Sequence, residues 1–330
     1  MAGSAGQVQT GRDGRRMLED SDHPLDRDDD PVADSGRIRA AIERIASADD
    51  LSLVASVLED LADASEALHA RRDIAKATFF GSARIDQGHG AYTLAHQLAA
   101  RLSADGYDIV TGGGPGVMTA ALEGALPGRA LGVGIELPFE QRGALGPPVV
   151  YLERFLTRKL AMVRHVRAFV CAAGGIGTLD EFFEVLVLLQ TGKKRPAPIV
   201  LLQEPGSTRW EDLDGWIAEH VVAGGLARES DRCLYRVCHS VDEAYGEITG
   251  FYSRYRGVGP DPADASRWAL ETATAVGADE LAALNEEFAD LAPGGFTVRP
   301  SASGSTLSFA YDLRGWGRLR QLIDAVNRCL

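Results

Sequence analysis

From Lys76 to about residue 253, short apolar runs alternate with stretches of helical period, the sequence form of repeated βα units around a buried parallel sheet. The runs are Ala77–Phe80, Tyr107–Val110, Ala130–Ile135, Ala168–Cys171 and Pro198–Leu202, and helices are predicted over about 90–104, 116–125, 155–166, 178–191, 209–223 and 241–253. Upstream, Ile38, Ile42 and Ile45, then Leu51, Val54, Leu58, Leu61 and Leu68, recur at helical spacing and predict two amphipathic helices packed on the domain that follows. Downstream, the segment from Gly257 to Asp264 reads as a turn-rich linker. It is followed by a helix (279–291), two strands (296–298 and 306–311) and a last helix (315–328). The expected fold class is α/β: a Rossmann-like doubly wound parallel sheet over 73–257, with N-terminal helices at 35–72 and a small C-terminal α+β appendage at 258–330. Residues 1–34 hold few large apolar side chains and the run Asp28-Asp29-Asp30, and read as a disordered acidic tail.

Composition narrows the function. The 330 residues are 45% apolar, enough for a large core without a metal or disulfide staple. The net charge of −13 argues against a nucleic-acid partner, because backbone affinity comes from clustered Lys and Arg. A small anion remains possible, since helix N-termini supply local positive potential whatever the net charge. No apolar run approaches the roughly 18 residues of a membrane helix, and the N-terminus has no apolar signal core, so no membrane association is expected. The four cysteines lack zinc-site spacing, so no metal is expected and a reducing cytoplasm is the simplest compartment.

In open α/β sheets ligands bind at the carboxyl ends of strands. Three strand ends here lead into glycine-rich turns: Gly81-Ser82-Ala83-Arg84, Gly112-Gly113-Gly114-Pro115-Gly116 and Gly174-Gly175-Ile176-Gly177-Thr178. Each lets a ligand approach the backbone and aims a helix N-terminus at an anion, although any one alone could serve turn geometry. No P-loop is present. The spacing G-x-G-x-G at 112–116, with Glu136 about 20 residues on, fits a dinucleotide fingerprint poorly. Thr178 to Glu181 has the form of a T-x-x-E capping box, which would make Glu181 a helix cap; its place after a strand-end turn would equally let it reach a bound sugar. Arg158 and Lys159 read either as a solvated basic face with Arg164 and Arg167 or as ligand contacts. Cys171 lies in a buried-strand pattern without a His partner and reads as core.

These segments together resemble the LOG (LONELY GUY) family of nucleoside 5′-monophosphate phosphoribohydrolases, long labelled lysine decarboxylases. The family signature P-G-G-x-G-T-x-x-E is matched by Ala173 to Glu181 and its Arg-Lys helix by Arg158-Lys159 with Met162. The G-S-A-R turn is matched by Gly81 to Arg84, the G-G-G-P-G-x-M turn by Gly112 to Met118, and I-x-L-P-x-E-Q by Ile135 to Gln141. The likeness covers about 75–255. Ala173 replaces the family's Pro, Thr119 stands where Glu is common, Leu122 where Asn is common, and Arg142 to Pro148 lacks the usual Asn-Pro.

The resemblance implies a catalytic pair at Arg158 and Glu181. Substrate contacts are implied at Gly81, Ser82, Gly112, Gly113, Gly114, Gly116, Lys159, Gly174, Gly175, Ile176, Gly177 and Thr178. It implies no cofactor and at least a homodimer. The expected reaction is hydrolysis of the N-glycosidic bond of AMP or a cytokinin-type riboside monophosphate, giving free base and ribose 5-phosphate. The rivals are a binding protein of the same shape, for a nucleotide or the molybdenum cofactor, and an NAD-type oxidoreductase.

Overall fold

The computed structural model describes residues 31–45, 47–69, 71–136, 149–301 and 304–328. Its centre is a seven-stranded sheet in the order β4-β3-β2-β1-β5-β6-β7, every pair parallel. The strands are β1 (Lys76–Phe80), β2 (Asp108–Thr111), β3 (Ala130–Ile135), β4 (Val149–Leu152), β5 (Ala168–Cys171), β6 (Ile199–Leu202) and β7 (Tyr235–Cys238). The chain steps outward from β1 to β4, then returns to lay β5 against the free side of β1. The strand order therefore reverses between β1 and β5, and the turns after these two strands face one crevice.

Strand alternation fills both faces of the sheet. Ala77 and Phe79 of β1, Ala168 and Val170 of β5, and Val200 and Leu202 of β6 share one core with α3 (Gly90–Ala104), α4 (Val117–Gly124) and α8 (Val241–Phe251). Phe80, Phe169, Cys171, Ile199 and Leu201 point the other way, into a core with α2 (Ala48–His69), α5 (Phe155–Val163), α6 (Ile176–Gln190) and α7 (Arg209–Trp216). Burial on both faces explains why these strands read as continuous apolar runs.

The doubly wound expectation holds, and five of the seven strands were legible. The sequence reading missed two edge strands: β4, just beyond the undescribed segment 137–148, and β7, where Arg236 points to solvent. The helix expected over 209–223 is α7 followed by a wider, π-type turn at Ile217–Val222. Of the two N-terminal helices, α2 packs on the domain through Ala64 and Leu68. The first, α1 (Pro31–Ile42), starts inside the expected tail and leaves Ile38 and Ile42 exposed; the rest of that tail, 1–30, lies outside the described residues.

The expected linker at Gly257–Asp264 is instead part of a hairpin, β8 (Tyr255–Asp261) with β9 (Asp264–Thr272). Pro260 is tolerated there because β8 is an edge strand, where a missing N–H breaks no ladder. Asp261 closes the turn by accepting the Ala263 N–H and pairing with Arg299 at 2.6 Å. With α9 (Ala278–Glu287), β10 (Thr297–Pro300), β11 (Ser305–Phe309) and α10 (Trp316–Arg328) this hairpin forms an α+β unit with its own apolar core, sheet order β10-β11-β9-β8. It joins the larger domain through buried Arg320, which binds Glu247 of α8, and through Trp316, whose ring lies against Gly192 just past α6.

Candidate functional site

The three glycine turns follow β1, β2 and β5, which are adjacent or next-but-one in the sheet, so they meet at one edge. The Ser82 N–H donates to the Ala173 carbonyl at 2.9 Å and the Ser82 carbonyl accepts the Val117 N–H at 3.1 Å, so the first turn ties the other two together. Gly116 has φ +70° and an added Cβ would lie 2.2 Å from the Ser82 carbonyl oxygen, so only glycine closes this junction. Thr119, where the family commonly has Glu, donates its hydroxyl to the Gly114 carbonyl at 3.0 Å and braces the second turn. Leu122 is buried. Of the Ile135–Gln141 segment, only Ile135 and Glu136 are described; Leu137 to Gln141 lie outside the described residues.

Arg158 and Glu181 meet at this edge from α5 and α6. The Arg158 guanidinium, almost fully enclosed, donates from Nε to the Val133 carbonyl at 3.0 Å, and its Nη2 occupies the space where a Cβ on Gly112 would sit. Its Nη1 stands 3.6 Å from Glu181 Oε1, an ion pair too long for a hydrogen bond. Burial raises the Glu181 carboxyl to about 7, an effect only partly offset by Arg158. Burial likewise lowers the pKa of Arg158 despite Glu181. Both groups therefore carry an uncompensated desolvation cost, the mark of a pair waiting for a further partner.

The capping reading of Glu181 does not survive. Helix α6 begins at Ile176 with Gly175 as its N-cap and no side-chain cap bond, so Thr178 is already inside the first turn. Thr178 is buried with its hydroxyl against Gly174, while Gly175 and Gly177 have open space on their side-chain side and Ile176 is 87% exposed. The N-terminus of α6 is thus free to receive an anion. The ammonium of Lys159, expected as a substrate contact, bridges Asp180 at 2.8 Å and Glu184 at 2.6 Å beside Glu181, locking α5 to α6. Cys171 is fully buried, and burial pushes its thiol well above the ordinary range, which leaves no nucleophile there.

Two residues escaped the sequence reading. Asp60 of α2 supplies the missing cap of α5, accepting the Glu153 N–H at 2.8 Å, the Arg154 N–H at 2.9 Å and the Thr157 hydroxyl at 2.5 Å. Burial works to raise this carboxyl, but the three hydrogen bonds and Arg154 outweigh it and hold the group below its ordinary value. By fixing the first turn of α5, it fixes the helix that carries Arg158. The second is Arg209, whose Nη1 donates to the Gly174 carbonyl at 3.3 Å. Only the pairing of β5 with β6 brings it there. A cavity of about 390 Å³ lies elsewhere, against Arg228, Asp290, Tyr311 and Arg318, and shares no residue with this site.

Residues 116–248 match the family described as possible lysine decarboxylase. Among solved structures the chain is similar to protein TM1055, a structural-genomics target, at 21% identity over 53% of this chain and 99% of that one, TM-score 0.40. It is also similar to the molybdenum cofactor carrier protein of Chlamydomonas reinhardtii (22% identity, 53% and 96% covered, TM-score 0.37). A third is the molybdenum cofactor binding protein of Rippkaea orientalis (19%, 53% and 94%, TM-score 0.38). No curated protein matches the chain.

Proposed function

We propose that the protein hydrolyses the N-glycosidic bond of a nucleoside 5′-monophosphate, of the AMP or cytokinin riboside monophosphate type, giving the free base and ribose 5-phosphate. The observation that carries this reading is the buried Glu181 carboxyl, raised to about 7 and 3.6 Å from Arg158, beside three glycine turns at the point where strand order reverses. The bond between the sugar's anomeric carbon and the base nitrogen breaks with positive charge developing on the sugar. An enclosed carboxylate beside that carbon stabilises this charge more than the neutral ground state. Water then bonds to the anomeric carbon and gives its proton to Glu181, which passes it on to the departing base nitrogen, so that the carboxylate is regenerated. Arg158, a planar donor with spare N–H groups, holds sugar or phosphate oxygens. The turn at Gly174–Thr178 receives the 5′-phosphate on backbone donors and the α6 N-terminus.

The test is base release. AMP should yield adenine, while adenosine should be cleaved on the order of 10³-fold less efficiently, because two or three charge-assisted hydrogen bonds are lost with the phosphate. Equal kcat/KM for the two substrates would overturn the phosphate-turn assignment. Tight AMP binding without adenine release would leave a nucleotide-binding protein.

The reading extends to a homodimer in a reducing cytoplasm. Its support is an apolar surface on α5 and α6, where Phe155, Leu156, Leu160, Ile176, Phe183 and Val187 are exposed. A second copy would cover this face isologously. Light scattering should give twice the chain mass, and Leu156→Glu should return a monomer.

A further inference from the structure

We infer that Arg209 is a phosphate-binding residue of this chain, gripping the outer oxygens of a substrate phosphate seated on the Gly174–Thr178 turn; the inference rests on the reading above. The side chain starts from a firmly anchored place. Gln203, fully buried at the end of β6, accepts the Trp210 N–H on Oε1 at 2.8 Å, and the Trp210 indole N–H points at the Leu202 carbonyl at 3.3 Å. Arg209 is the residue before this buried tryptophan, and its own N–H leans on the Ser207 hydroxyl at 3.4 Å. The start of α7 is therefore held rigidly beside the glycine turn.

The guanidinium has five N–H donors, and one of them meets the Gly174 carbonyl. The neighbouring carboxylates have other partners: Asp212 accepts the Thr208 hydroxyl at 2.8 Å, and Glu211 stands 3.5 Å from His239. Arg209 pairs with no carboxylate among the described residues. An exposed, unneutralised guanidinium with a fork of free donors thus lies against the turn whose Gly175 and Gly177 are open. Arg158 stands on the opposite flank, over Gly112. The two arginines divide the work: Arg158 faces Glu181 and the sugar, whereas Arg209 faces the side of the phosphate away from the scissile bond. A dianionic monophosphate is the ligand that satisfies a fork of donors and a helix N-terminus together.

Arg209→Ala and Arg209→Lys, with wild type, would be assayed for AMP hydrolysis and for inhibition by inorganic phosphate. Direct phosphate binding would be measured by calorimetry. The Ala variant should raise KM for AMP about 10- to 100-fold and weaken phosphate inhibition by a similar factor, while kcat changes less than about 5-fold. The Lys variant should recover part of the loss, since it keeps the charge and loses the fork. The melting temperature should stay within a degree or two, whereas a guanidinium that merely braces the turn would lower it and leave phosphate inhibition alone. Unchanged KM and phosphate inhibition in an active Ala variant overturns the assignment and leaves the hydrolase reading standing. Phosphate binding that depends on Arg209 in a protein without turnover keeps the assignment and removes the hydrolase. A wild-type protein that binds neither AMP nor phosphate overturns both.

Discussion

The sheet carries an arginine–carboxylate cluster at each of its two edges, and the two are built oppositely. At the amino edge Asp108, buried at the start of β2, receives two N–H bonds from Arg71 and one from Arg129 at 3.2 Å, while Lys76 donates to the Arg71 and Ile74 carbonyls. Every charge there is met at hydrogen-bond distance, and the cluster ties α2 to the sheet. At the carboxyl edge Arg158 stops 3.6 Å short of Glu181, bonds a backbone carbonyl instead, and leaves the carboxyl raised to about 7. The carboxylate is largely enclosed at both edges, and the arginines are more exposed at the amino edge; hydrogen-bond saturation is what separates the two clusters. A saturated cluster stabilises a fold, and an unsaturated one stores affinity for something else.

Glu181→Gln is the sharpest way to break the comparison. It should lower kcat by at least about 10²-fold, since a charge aimed at the transition state is worth roughly 2.7–4 kcal/mol. Because the carboxyl is costly to bury, the melting temperature near pH 7.5 should stay level or rise slightly. A variant that melts early and turns over normally would make this cluster structural like the other.

Gly112→Ala tests the placement of Arg158 without touching a charge. A Cβ there would meet Nη2 at 2.0 Å, so the guanidinium must move, and kcat/KM should fall on the order of 10- to 100-fold with little loss of affinity for inorganic phosphate. Kinetics and phosphate titration on the same preparation would read both.

Asp108→Asn is the converse. It should cost about 1–3 kcal/mol by denaturant unfolding, at the low end for a buried pair because both arginines are about a third exposed, and leave kcat unchanged. A drop in turnover at full folding would show that the two edges communicate.

The pH dependence gives the smallest and most diagnostic effect. With the Glu181 carboxylate as the working form, kcat/KM should rise through an apparent pKa near 7 and level above it; Glu181→Gln should abolish that limb but keep the one near 6 from the substrate phosphate. The sign for stability is opposite. The folded carboxyl holds its proton from its ordinary value of 4.5 up to about 7 while the unfolded chain has released it, so stability falls across that window, and the Gln variant should flatten the fall.

Much of this was legible in the sequence because local patterns carry it. Apolar runs between helical periods gave five strands, and glycines at strand ends gave the three turns. Arg158 and Glu181 were legible through likeness to known motifs. The T-x-x-E pattern misled because Gly175 starts the helix three residues before Thr178, a choice of backbone that the spacing does not encode. Asp60 and Arg209 were invisible for a different reason: the first bonds residues 93 and more positions away, the second a glycine 35 positions away, and no local period reports such pairs.

The sequence by itself therefore determined five of the seven strands of the main sheet, most of the helices, and where the backbone can approach a ligand, because burial period and glycine content are properties of neighbouring residues. The tertiary structure alone decided which charges are saturated. Sheet order set α2 under α5, β6 beside β5, and Arg158 just beyond hydrogen-bonding reach of Glu181. Saturation is a matter of distances of a few ångströms between groups far apart along the chain, and these exist only once the chain has folded.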